Sequence, residues 1–184
     1  MELVDRKSLL WVGLSEETQD LINTGETVLQ FVFDYKDRAT ITDYSFCVFS
    51  FAKAYEGFLK KIFLDMGFIK PHEYYGDDIR IGRILSPSFE NEPDNVFYKI
   101  CNHPQGGSDV STTLWNAWKN SRNLVFHYFP HNFRKLDYDD AFKAVTLIID
   151  AMTVAAERCA EVKKERLTQG KRPKGKFSKI TTLR

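Results

Sequence analysis

The residues of this 184-residue chain that are best suited to chemistry lie in the segment Ser121–Pro130. Arg122 is followed directly by Asn123, and His127 lies five positions after the arginine. On an ideal helix Asn123 and His127 share a face, and the long Arg122 side chain can lean toward the same patch. The planar fork of an arginine fits a phosphate. A histidine near a helix C-terminus is suited to proton exchange near neutral pH.

These side-chain types are those that RNA cleavage without a metal ion requires. A base removes the proton of the ribose 2′-hydroxyl, its oxygen attacks the adjacent phosphate, and a cation stabilises the developing negative charge. The need for a 2′-hydroxyl would restrict such a site to RNA. An arginine and a histidine at this spacing also occur by chance, and a histidine at a helix end is often only a cap or a surface contact.

The cysteines and histidines do not form a metal-binding pattern. Cys47, Cys101 and Cys159 are far apart, and no Cys-x-x-Cys pair is present. The four histidines show no paired zinc spacing. We therefore predict neither a metal site nor another cofactor.

Helical periodicity predicts the elements that position the candidate residues. Ser15 can cap a first helical stretch, in which Gly25 favours a break into two shorter helices. A second helix is predicted over residues 43–66, with Gly67 in the position of a terminating glycine. Its apolar face contains Phe46, Phe49, Ala52, Phe58, Leu59, Ile62 and Phe63, and its polar face contains Lys53, Glu56, Lys60 and Lys61.

The second half of the chain continues the helical pattern. Residues 70–110 are rich in loops, with short helices predicted near 79–85 and 94–101. A third major helix is predicted over 111–129, stopped by Pro130, and a long helix is predicted from 140 to about 167, starting at Asp137 or Asp139. Because no alternating strand pattern with hairpin turns is present, the sequence predicts an all-α bundle with a loop-rich insert.

Charge is distributed unevenly along the chain. From Arg158 to Arg184 there are 10 Lys/Arg and 2 Asp/Glu, a local charge of +8, whereas the rest of the chain has 16 basic and 23 acidic residues. The sequence thus predicts an acidic body with a basic tail. The tail is either an electrostatic arm for RNA phosphates or a docking site for an acidic partner, or else a solvated terminus without a specific role.

The sequence also predicts the cellular compartment of the protein. No apolar run approaches the ~20 residues that a membrane span needs. The first residues, Met-Glu-Leu-Val-Asp-Arg-Lys, do not resemble a secretory signal. We expect no membrane partner and a cytoplasmic protein.

The segment from Arg122 to His127 resembles the R-x4-6-H motif of HEPN domains, in which a polar residue often follows the arginine. An earlier helix that contains Ala54-Tyr-Glu-Gly-Phe-Leu-Lys-Lys-Ile-Phe63, the loop-rich middle and the late motif together look like the HEPN domain of RNase LS-type toxins. The resemblance covers about residues 43–166. The 42 residues before Asp43 are too few for the large region that precedes the HEPN domain in those toxins, so we expect either a stand-alone relative or a fragment.

The resemblance implies a metal-independent endoribonuclease, usually the toxin of a toxin–antitoxin or phage-defence system, that dimerises so that two motifs line one cleft. Arg122 and His127 then match the catalytic pair, and Asn123 matches the polar position. Glu56 is the best match for the acidic residue that RNase LS-type toxins use on an earlier helix. The simplest alternative for Glu56 is a surface ion pair with a lysine of its own helix.

Other side chains near the motif are weaker candidates for substrate binding. His131 is either a second proton-transfer or phosphate-binding group or a solvated loop residue. Tyr128 and Arg134 are candidates for RNA contacts, although Tyr128 is equally suited to packing on a neighbouring helix. Trp115 and Trp118 lie three residues apart and are more typical of core or dimer contacts than of base stacking.

The sequence therefore predicts three parts: an N-terminal helical extension over residues 1–42, a HEPN-like helical domain over 43–167 and a basic, flexible tail over 168–184. The leading hypothesis for function is a HEPN-type endoribonuclease that forms a homodimer. One alternative is a non-catalytic HEPN-like module that binds a partner protein or RNA. Another is a nucleic-acid-binding adaptor that works through the tail.

Overall fold

The fold is built entirely from helices in the part of the chain that the structure describes. A computed structural model describes residues 1–38, 40–100, 110–128, 130 and 135–168, with side chains described up to residue 161. No β-strand is present in these ranges. The prediction of an all-α fold is confirmed.

Eight α-helices and three other helical segments follow one another within these ranges. The α-helices are α1 (Leu9–Gly13), α2 (Glu16–Tyr35), α3 (Phe49–Asp65), α4 (Pro71–Tyr74), α5 (Ile81–Ile84), α6 (Val110–Ala117), α7 (Leu124–Phe126) and α8 (Tyr138–Thr168). Two 3₁₀ turns cover Ser45–Val48 and Pro87–Phe89, and a π-helical segment covers Trp118–Asn123.

Helix α2 starts as the sequence predicts but is not broken at Gly25. The hydroxyl of Ser15 accepts a hydrogen bond from the amide of Thr18, which caps the helix. The prediction of two shorter helices is wrong, because the absence of a side chain at Gly25 lets α2 pack directly on α3. A Cβ atom at this position would lie 2.7 Å from Cζ of Phe51, whose ring is almost fully buried.

This close contact makes Gly25→Ala destabilising, although alanine is the better helix former by about 1 kcal/mol. Because the Phe51 ring is almost fully buried, the added methyl group must displace packed neighbours, and we expect the free energy of unfolding to fall by about 1–3 kcal/mol. Urea unfolding followed by circular dichroism measures this change. The control is Gly13→Ala, where no atom beyond the neighbouring residues and backbone of its own helix lies within 4 Å of the added Cβ. A Gly25→Ala protein as stable as the parent would contradict the described packing of α2 on α3.

Helix α3 ends in the way that Gly67 predicts. Gly67 has a φ of 73°, and the amide of the next residue, Phe68, donates to the carbonyl of Phe63 at 2.8 Å. The Gly67 amide donates to the Leu64 carbonyl at 3.0 Å, and the rings of Phe63 and Phe68 are 6.5 Å apart. This is the Schellman arrangement, in which a left-handed glycine lets the last carbonyls of a helix find partners.

The start of α3 is tied to the segment before α8 by Asp43. Its carboxylate accepts hydrogen bonds from the hydroxyl and amide of Ser45 and from the amide of Leu136. Burial opposes ionisation of this carboxyl group, but these hydrogen bonds, together with the charge of Lys135, outweigh it and lower the pKa of Asp43. The carboxylate thus holds the two segments together in its charged form.

Helix α3 lies at the centre of the core and carries one wall of the candidate site. Tyr55 is fully buried, and its hydroxyl donates to the carbonyl of Leu114 in α6 at 2.7 Å. Burial raises the pKa of Tyr55 well above its ordinary value, so the phenol stays protonated as a donor. This hydrogen bond sets the position of α3 relative to α6 one residue before Glu56.

The N-terminal residues pack in the same core. Glu26 of α2 is 4% exposed, accepts a hydrogen bond from the Leu3 amide at 2.8 Å and forms an ion pair with Arg6. Val4 and Leu10 belong to the same hydrophobic cluster as α3. The division of the chain at residue 43 stays a prediction.

The insert and the third major helix differ from the predicted pattern. The short helix predicted near 79–85 is present as α5, whereas residues 94–100 form turns and residue 101 lies outside the described residues. The predicted single helix over 111–129 is instead α6, the π segment and α7, and it ends at Phe126.

Helix α8 begins at Tyr138, where the carboxylate of Asp137 accepts a hydrogen bond from the Asp140 amide at 2.7 Å. This confirms Asp137, one of the two predicted starting residues. The helix packs against α1, α3 and α6.

Among the described residues, no helix is both long enough and apolar enough to cross a membrane. The predicted basic tail falls on residues 169–184, which lie outside the described residues, apart from Thr168 at its start.

Candidate functional site

Glu56 and Arg122 meet across the bundle although 66 positions separate them in the sequence. Nη2 of Arg122, in the π segment, lies 3.2 Å from Oε2 of Glu56 on α3. The two side chains are 30% and 33% exposed, so the ion pair lies at the surface and a solute can reach it. Glu56 therefore pairs with Arg122, whereas the simplest alternative from the sequence was a lysine of its own helix.

The ring of Trp118 supports the Arg122 guanidinium from a second side. Cζ of Arg122 lies 4.7 Å from the centroid of this ring, a distance typical of a cation–π contact. Trp118 is only 4% exposed, and its ring lies 6.4 Å from that of Tyr55. The guanidinium is thus positioned by a carboxylate and by a ring that is itself fixed in the core.

The sequence predicts core or dimer contacts for Trp118 and does not predict this supporting role. The core assignment is confirmed by its burial. The spacing of four residues between Trp118 and Arg122 was the available signal, because residues four apart on a helix are neighbours.

The helix that carries Arg122 is locally widened. Residues Trp118–Asn123 form π-helical turns, and π turns inside α-helices occur frequently at functional sites. The hydroxyl of Ser121, inside this segment, is buried and has no hydrogen-bond partner among the described residues. The backbone thus departs from regular geometry at the same place that presents Arg122.

His127 is the first residue after the helix. Its φ of −101° and ψ of 130° are extended, and its side chain is exposed. The predicted relation between Asn123 and His127 on one face of an ideal helix is therefore wrong, because π turns precede His127 and the helix ends before it. Four helical steps and one extended step still place His127 only roughly 9 Å along the chain from Arg122.

The other predicted binding residues are only partly described. Asn123 is half-buried at the end of the π segment, and Tyr128 is 71% exposed. His131 and Arg134 lie outside the described residues. Among the described side chains, no group of three or more His, Cys, Asp or Glu is arranged to hold a metal ion.

Two aromatic rings lie at the surface near the ion pair, one on α3 and the other on α7, which directly follows the π segment. Phe49 on α3 is 55% exposed and Phe126 on α7 is 37% exposed, with ring centroids 6.0 Å apart. The sequence pattern predicts Phe46 and Phe49 on the apolar face of a helix over residues 43–66, but both are exposed. Helical spacing explains the exposure of Phe49. It precedes Glu56 by seven residues, or two turns, so both side chains lie on the polar face of α3.

Cys47 is not a candidate nucleophile. Its thiol is free and buried in the core. Burial raises the pKa of Cys47 to about 11, so the reactive thiolate is scarce at neutral pH. The candidates for chemistry that the structure describes at this site are Arg122, Glu56 and His127.

Comparisons of the chain with protein-family models, curated proteins and solved structures found no match.

Proposed function

We propose that this protein is a metal-independent endoribonuclease of the HEPN type. The observation that carries the proposal is the accessible contact at 3.2 Å between Glu56 and Arg122, which joins two separate helical elements just before His127. The motif that resembles HEPN domains thereby gains an acidic partner on an earlier helix, as the resemblance to RNase LS-type toxins implies.

In the proposed reaction, the imidazole of His127 accepts the proton of a ribose 2′-hydroxyl. The 2′-oxygen attacks the adjacent phosphorus, and the bond from phosphorus to the 5′-oxygen of the next nucleotide breaks. That 5′-oxygen takes up a proton from solvent, to which the protonated His127 returns its own, so the products are a 2′,3′-cyclic phosphate and a 5′-hydroxyl. Arg122 stabilises the negative charge that develops on the phosphate oxygens.

Glu56 acts as a positioning residue in this scheme. A guanidinium has five N–H donors, and the contact with Glu56 is made through a single nitrogen. The remaining donors can bind phosphate oxygens while Glu56 and Trp118 hold the plane of the group. Asn123, next in the chain, is proposed to orient the phosphate or the imidazole.

The biological role that follows from this proposal is that of a toxin in a toxin–antitoxin or phage-defence system. We propose a cytoplasmic homodimer in which two motifs face one cleft, with an antitoxin protein as a further partner. The exposure of His127 and Arg122 supports this arrangement, because both side chains can reach a substrate or a second subunit.

The proposal is tested with the purified full chain, single-stranded RNA and an excess of EDTA. We expect cleavage to continue in the chelator, because the side chains supply both the base and the cation. The same RNA with 2′-O-methyl groups throughout should stay intact, since it lacks the attacking hydroxyl. Loss of cleavage in EDTA, or cutting of the methylated strand, would contradict the proposed chemistry.

The competing function is a helical module that binds a partner without catalysis. The exposed rings of Phe31, Phe33 and Tyr35 on α2 favour it, because exposed aromatic side chains are common where proteins meet. Under this alternative the clean protein cuts no RNA, and the same assay decides between the two functions.

A further inference from the structure

The surface beside the Glu56–Arg122 pair combines exposed aromatic rings with a cation. We define the aromatic patch as Phe49, Phe126 and Lys53. The rings of Phe49 and Phe126 meet edge to face at an interplanar angle of 87°. Nζ of the exposed Lys53 lies 5.9 Å from the Phe49 ring centroid.

The aromatic patch and the ion pair lie in one seam between α3 and the segment 118–126. Along α3, Phe49 precedes Glu56 by seven residues, which is two turns or about 10 Å. On the facing segment the order is reversed, because Phe126 follows Arg122 by four residues. The ring pair and the ion pair are thus successive contacts of the same two elements.

Charge complementarity favours single-stranded nucleic acid as the occupant of this surface. An apolar protein surface would cover the two rings but would leave the ammonium of Lys53 without water or an anion. An unpaired nucleotide offers a flat base for the rings and a phosphate for the cation. Interleaved aromatic and basic side chains are the usual means of binding single-stranded nucleic acid.

We propose that the aromatic patch stacks an unpaired base of single-stranded RNA, with Lys53 contacting its phosphate, and thereby presents the neighbouring phosphate to Arg122. The inference rests on the proposed function and specifies its substrate as unpaired RNA. In a duplex the base faces are covered by their neighbours, so the patch selects loops and single strands.

The test measures binding of a labelled single-stranded RNA that carries 2′-O-methyl groups throughout, so that binding is separated from cleavage. We expect Phe49→Ala and Phe49→Leu to raise the Kd roughly 5- to 100-fold, as loss of one base–ring stack does. Phe49→Tyr keeps a ring and should bind within about twofold of the parent, since stacking needs only the π face. The same RNA in a duplex should bind less tightly than the single strand.

Phe31→Ala is the matched control, because Phe31 also belongs to an exposed ring pair, with Tyr35 at 4.8 Å on α2. The Kd of the Phe31→Ala protein for the single-stranded RNA should equal that of the parent. Because Phe49 is exposed, the leucine variant keeps the apolar contact and is expected to fold, which circular dichroism checks.

Three results would overturn the inference. The first is a Phe49→Leu protein that binds the single strand as well as the parent, and the second is a parent that does not bind it. The third is a Phe49→Ala protein that changes only from dimer to monomer in sedimentation, which would assign the patch to a second copy of the chain. Ring-dependent binding by a parent that cuts no cleavable RNA would instead refute the proposed function and leave the binding site standing.

Discussion

Replacing Arg122 by alanine should lower RNA cleavage by roughly 10²- to 10³-fold, the usual cost of removing one group that stabilises charge in a transition state. The fold should survive, because the ion pair with Glu56 is about one-third exposed and such pairs contribute at most about 1 kcal/mol to stability. Initial cleavage rates of a labelled single-stranded RNA measure the effect, with urea unfolding as the check on folding.

The chain contains a closely matched control for this variant. Arg83 on α5 also pairs with a carboxylate, Glu92 at 3.1 Å, and its Cζ lies 5.9 Å from the centroid of the Phe89 ring. Arg83→Ala should therefore remove the same kinds of contact and leave cleavage unchanged. Equal losses in the two variants would mean that Arg122 acts only through the general charge of the surface.

Replacing His127 by alanine should lower the rate of RNA cleavage by roughly 10²- to 10⁴-fold, because general base catalysis contributes about that much. This loss is similar to or greater than the one expected for Arg122→Ala. The side chain is exposed and follows the last helical residue, so its removal leaves the helical core intact.

His72→Ala is the control for the histidine, since His72 is also exposed and lies on α4, away from the motif. The His72→Ala protein should cut RNA at the same rate as the parent. A His127→Ala protein that cuts RNA at the parent's rate would exclude His127 from proton transfer.

Local sequence signals predicted those helix ends that depend only on residues close by in the sequence. Ser15 caps α2, Gly67 ends α3 with a left-handed backbone, and Asp137 begins α8. Each of these residue types satisfies backbone groups within about one helical turn, so the sequence alone contains the required information.

The same signals failed where contacts from another element decide the structure. Gly25 reads as a helix breaker, but the ring of Phe51 packs against the space that the glycine leaves. The π turns of Trp118–Asn123 and the early end at Phe126 have no signature in helical periodicity. Helix propensity depends on the local sequence, so it does not predict features that contacts between elements determine.

The candidate site likewise combines features that the sequence predicts with features that depend on tertiary contacts. The spacing of Arg122 and His127 was visible in the sequence, and the resemblance to HEPN domains led to Glu56. The support of Arg122 by Trp118 and the exposure of Phe49 beside Phe126 depend on how α3 faces the π segment. Only the folded arrangement brings these side chains into one seam.

The most direct test of the central claim is the chemistry of the cleaved ends. A DNA strand with a single ribonucleotide is incubated with the purified chain in EDTA, and the fragments are analysed by mass spectrometry. The proposed reaction predicts a cut only after the ribonucleotide, leaving a 2′,3′-cyclic phosphate and a 5′-hydroxyl. A 3′-hydroxyl with a 5′-phosphate, or cutting between deoxynucleotides, would contradict attack by the 2′-hydroxyl.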